Sequence, residues 1–136
     1  MNNLIKLIKI DTSVLPINKK SVEVNVTGDI ADAGRLVLKE ALESQEVKPN
    51  ESYLQYIDRQ IALKKDELEL LKTVLSLTEA QIKKINKELP ETKIDNYSAY
   101  LTTVLQGMTT GSYADFEAEQ DDSEDASDPK KQENAD

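Results

Sequence analysis

Between Asn50 and Ser76, apolar side chains recur in steps of three and four: Leu54, Ile57, Ile61, Leu68, Leu71 and Leu75, with Lys64 in the one polar slot. A strand repeats every two residues and cannot use this spacing, whereas a helix gathers such positions into one stripe. The segment therefore predicts one long helix from an Asn50 cap to about Ser76, carrying a seam of nearly four heptads. A second stripe, Leu63, Leu70, Val74 and Leu77, runs beside the seam in the C-terminal half only. That half is expected to be buried in the body, leaving Leu54, Ile57 and Ile61 of the first half to face a partner. Lys64 argues against deep burial of the whole seam, although its stem can carry the ammonium to the surface. Ordinary bundle core is the competing reading of the same stripe.

The flanking segments fit around this helix. "SVEVNVT" alternates Val22, Val24 and Val26 with Glu23, Asn25 and Thr27, the pattern of a half-buried strand. "LIKLIKI", from Leu4 to Ile10, fits a strand or a short helix, and its Ile content and nearby Pro16 favour a strand. "LPINKK" supplies the turn, so a small N-terminal hairpin is expected, with helices covering its Val face. "GDIADAGRLVLKEALESQ" reads as a helix capped by Asp29, with Ile30, Ala33, Val37 and Ala41 inward and Gly34 allowing close approach of the strand pair. In "LSLTEAQIKKI", Thr78 and Gln81 form a capping box, and Leu77 and Ile82 the matching hydrophobic staple. The helix begun there ends at Pro90. A fourth helix is expected from a cap at Asp95 or Asn96, bearing Tyr97, Tyr100, Leu101, Val104, Leu105 and Met108.

Charge divides the chain at its end. Residues Asp115 to Asp136 hold ten Asp or Glu and two Lys, so the preceding 114 residues hold 16 acids and 15 bases out of 26 and 17. The body is nearly neutral, which removes the basic face a nucleic-acid binder needs. Ordering 22 tail residues costs roughly 20–40 kcal/mol. Phe116, the only large apolar residue there, returns about 3 kcal/mol when buried. The predicted organisation is α+β: residues 1–110 form a small β hairpin plus a compact, mainly helical domain of about four helices, and residues 111–136 a disordered acidic tail.

No chemistry stands out. With no Cys and no His, disulfides, thiolate metal sites and the usual neutral-pH base are absent from the chain. No apolar run approaches a membrane span, and "MNNLIKLIKI" has no cleavage site after it, so no secretory signal is expected. "DDSED" lacks the Gly and distant Glu of a calcium loop. A helix-turn-helix drawn over residues 77–104 would have a recognition helix without Arg or Lys from Tyr97 on, unsuited to reading bases. The expectation is a protein that is not an enzyme and has no catalytic, metal or cofactor residues.

The order of these elements resembles the tail assembly chaperones of long-tailed bacteriophages of Gram-positive hosts. The resemblance rests on the leucine-rich helix running into "LSLTEAQIKKI" (Leu75 to Ile85), the Tyr-rich helix closing on Gly107-Met108, and the charged tail. It spans about residues 29–108. It implies a cytoplasmic binding protein of the infected host that coats the tape-measure protein, keeps it soluble, helps recruit tail-tube protein and is absent from the mature virion. The partner surface assigned on that basis is Leu54, Ile57 and Ile61. The family often makes a longer form by a one-base backward ribosomal frameshift. Codons CCA-AAA-AAG for Pro129, Lys130 and Lys131 would form a slippery heptamer, and AAG at Lys130 would rule it out; two lysines in an acidic tail also need no such reason. A self-associating coiled-coil scaffold or regulator would use the same seam.

Overall fold

A computed structural model describes residues 7–46, 48–109 and 111–127, with side chains through Gln120. Leu4 to Lys6, the acidic side chains of Asp121 to Asp125, and the frameshift candidates Lys130 and Lys131 lie outside that description.

The order is β1 (Leu7–Asp11), β2 (Ser21–Asn25), α1 (Gly28–Ser44), α2 (Tyr53–Leu75), α3 (Glu79–Glu88), α4 (Glu91–Leu105) and α5 (Tyr113–Ser127). The predicted class, mainly α with a small N-terminal β element, is what the chain forms. β1 and β2 pair antiparallel with Ile8 opposite Val24 and Ile10 opposite Val22. Ile8, Ile10, Val22 and Val24 all join the core, so the period-two pattern sets which face is inward. The turn between the strands also packs, with Leu15 and Ile17 buried and the Thr12 hydroxyl donating to Lys19 O at 2.7 Å.

Three helix caps differ from expectation, two by two residues and the third, that of α4, by five or six. Thr27, rather than Asp29, caps α1 by accepting from Ile30 N. Ser52, rather than Asn50, caps α2 in a full capping box with Gln55. α4 starts at Glu91 behind Pro90, so Asp95 and Asn96 lie inside the helix. Pro90 forces Leu89 into extended geometry and fixes φ for the next turn, which ends α3 and begins α4 without a loop. The Thr78–Gln81 capping box is formed as read, with Ile85 fully buried one turn on. A Cβ on Gly34 would sit 3.1 Å from Leu105 Cδ1, so the close approach is between α1 and α4 rather than with the strands. Met108 is exposed, because the chain turns at Gly107 (φ +75°) beyond the end of α4.

The start of the acidic segment departs most from expectation. Tyr113 and Phe116 are buried and join the core. Tyr97, Tyr100, Tyr113 and Phe116 form a ring cluster with neighbouring centroids about 5.5–6.4 Å apart. Asp11 ties it to the hairpin: its carbonyl accepts from Tyr97 OH at 2.7 Å and its carboxylate accepts from Tyr113 N at 2.8 Å. Tyr100 OH donates to Gly111 O at 2.9 Å, and Lys93 pairs with Glu117 at 3.1 Å. Weighing the order of this segment against Phe116 alone leaves out Tyr113, a second buried anchor on the same first turn of α5.

Candidate partner-binding surface

The site hypothesis concerns the N-terminal half of α2, and the structure separates that half from the other. Leu63, Leu70, Leu71, Val74 and Leu75 are buried between α1, α3 and α4. Toward the N terminus the helix emerges from the body: Leu54 is 74% and Ile61 62% exposed, and Ile57 is half-buried. Tyr53 and Tyr56 are exposed beside them, with rings stacked at 6.3 Å. Lys64 is half-buried where the seam passes from exposed to covered.

This projecting half is held firmly. Gln55 N donates to Ser52 Oγ at 3.1 Å and Ser52 N to Gln55 Oε1 at 2.8 Å, closing the first turn. Arg59 makes a two-pronged contact with Glu51, Nε to Oε2 at 2.5 Å and Nη2 to Oε1 at 2.8 Å. Its remaining prong donates to Glu43 O at 3.1 Å on the last turn of α1, and the guanidinium lies 5.8 Å from the Tyr56 ring centre. One planar guanidinium thus fixes the α1 end, the connecting loop and α2 together, which a point-like ammonium would not do.

Of the concavities along the helix, two bear on this half's apolar side chains. One, of about 600 Å³, is lined by Tyr56, Ile57, Ile61, Lys64 and Leu68 of α2, together with Asn86 of α3 and Glu91 of α4. From Tyr56 to Leu68 it follows about 18 Å of helix, room for three turns of a second helix. Ile57 and Ile61 meet here; Leu54 is a turn further out and does not line this groove. The other concavity, of about 960 Å³, opens between the end of α1, the start of α2 and the first half of α4. Tyr53, Tyr56, Ala41, Leu63 and Ala99 contribute to its walls, and Glu67 and Asp95 bring carboxyls.

Sequence reasoning passed over Glu67. It sits on the inward side of α2, is only 2% exposed, and its Oε1 has no hydrogen-bond partner among the described residues. Burial, a shared hydrogen bond with Asp95 and the charges of Asp95, Glu40 and Glu91 push its carboxyl up to about 9. On the neighbouring turn of α1, Glu40 is pushed up to about 7 by burial and by Asp66. A signal was available: Glu67 falls between Leu63 and Leu70 or Leu71, where the second stripe requires an inward residue.

No cluster of three potential metal-ligating side chains occurs among the described residues, and no described helix is long and apolar enough to cross a membrane. Comparison with protein-family models, with curated proteins and with solved structures finds no match to this chain.

Proposed function

We propose that the protein is a helix-binding module that acts as a phage tail assembly chaperone, holding the tape-measure protein soluble and helping tail-tube protein assemble on it in the host cytoplasm. The observation that supports the reading is the rigidly anchored, apolar N-terminal half of α2, where Leu54 and Ile61 stay exposed among the described residues. An amphipathic helix lays apolar positions into a groove of this kind. The tape-measure identity, the release before virion maturation and a frameshifted form at Lys130-Lys131 rest on the sequence resemblance alone. The experiment is co-expression with a phage tape-measure protein. Ile57→Asp and Ile61→Asp are expected to leave the chaperone folded by circular dichroism while the partner becomes insoluble; undiminished partner solubility with both variants rejects the surface. The same exposed stripe favours a second reading, self-association as a coiled-coil scaffold, in which sedimentation shows a dimer that Ile61→Asp dissociates.

A further inference from the structure

We propose that the groove between α1, α2 and α4 is a receptor for a lysine side chain, carried on a helical segment of a protein partner and paired with Glu67. This inference rests on the reading that this end of the molecule binds a helical partner, and it names what that partner must bring.

A polar atom buried without a partner costs free energy, and a carboxyl oxygen in that state is stabilised by any donor that can reach it. Oε1 of Glu67 is such an atom, and its residue lines a concavity large enough to admit a side chain. The surroundings select the charge of the guest. Asp95 and Glu91 of α4 and Glu40 of α1 all act on Glu67 with the same negative sign. Two cations line the groove: Arg59 is occupied by Glu51 and by the Glu43 carbonyl, and Lys48, in the segment between α1 and α2, acts on Glu51; neither is among the charges that act on Glu67. In the absence of a counter-cation, a proton neutralises the carboxyl; an arriving ammonium supplies that charge instead, and the proton leaves to solvent.

Shape selects lysine and a protein source. A slender four-methylene stem suits a groove whose lining sets the apolar Leu63 and Ala41 with Glu67, and a single ammonium suits the one carboxyl oxygen without a partner among the described residues. In the same lining, Ala41, Ser44 and Ala99 are small enough for a helix backbone to come close, and the exposed Tyr53 and Tyr56 offer aromatic faces to its apolar residues. A free small amine would use none of that wall.

The test uses the full chain, labelled with carbon-13, at pH 7.5. Butylammonium, the lysine side chain alone, is expected to shift the Glu67 carboxyl carbon saturably, with Tyr56 and Leu63 signals moving at the same midpoint. Glu67→Gln, which keeps shape and removes the charge, is expected to weaken that binding at least tenfold. Ala99→Phe, an exposed position in the same lining, is expected to block it without touching Glu67. A helical Ala/Leu peptide with one central Lys is expected to bind at least tenfold more tightly than butylammonium, and to lose that gain when Lys becomes norleucine. A Glu67 signal that does not saturate, or equal midpoints in wild type and Glu67→Gln, overturns the site. Amine binding with no advantage for the Lys peptide overturns the protein source. Neither readout involves a tape-measure protein, so this inference and the chaperone reading fail separately.

Discussion

The two halves of α2 carry the same apolar spacing and meet opposite fates. Leu71 and Leu75 are sealed in the core, whereas Leu54 and Ile61, on the same seam three heptads and two heptads before Leu75, stand in solvent. Periodicity states which side of a helix is apolar; it does not state how far along the helix the rest of the molecule reaches. The second stripe carries that missing information. Where Leu63, Leu70 and Val74 widen the apolar arc, α1, α3 and α4 have surface to cover it, and where the arc narrows the helix leaves the body.

The largest effect is expected from the buried half. Leu71→Ala should cost about 2–5 kcal/mol, as buried Leu truncations do, and lower the urea midpoint without changing the slope. A loss under 1 kcal/mol would mean that this half is not the core and would dissolve the contrast between the halves.

Glu67 sharpens the comparison, because it is a polar residue in the buried half beside the groove of the exposed one. Its folded-state carboxyl is raised to about 9 from an ordinary value near 4.5. The fold therefore prefers the protonated form. Its contribution is fully present below the unfolded value and is lost as pH rises toward 9. Glu67→Gln removes this titration. It should raise stability by about 2–3 kcal/mol at pH 7 and flatten the decline between pH 5 and 9. Unchanged pH dependence, followed by urea unfolding at several pH values, would show that Glu67 ionises in the folded protein at its ordinary value.

Much of this fold was legible locally. The capping box at Thr78 and Gln81 and the Val22–Val24–Val26 alternation use information contained within a few residues. What escaped reading depended on distant partners. Tyr113 docks because Asp11 accepts its amide from more than a hundred residues away and because Tyr97 and Tyr100 supply ring contacts. Gly34 belongs opposite Leu105, a pairing that no local pattern of α1 encodes. At the candidate surface, the exposure of Leu54 and Ile61 followed from the missing second stripe. The second stripe places Glu67 on the inward side, between Leu63 and Leu70, but not its carboxyl beside Asp95 and Glu40, which lie on other helices.

The smallest expected effect tests the exposed half. Leu54 keeps about three quarters of its surface in solvent, and no bond to the body depends on its side chain. Leu54→Ser should therefore change stability by no more than about 0.5 kcal/mol, the usual range for surface substitutions. The helix around it is held by other groups: Ser52 and Gln55 close its first turn, and Arg59 joins it to Glu51 and to the end of α1. Serine has a slightly lower helix propensity than leucine, and that difference is the main cost expected. Urea unfolding of dilute protein would read it. A loss of 2 kcal/mol or more would mean that Leu54 is covered in solution, and a loss that grows with protein concentration would identify the cover as a second copy of the chain. If Leu54→Ser is instead silent while Leu71→Ala is costly, one helix is serving two ends: its C-terminal half holds the fold, and its N-terminal half remains available to a partner.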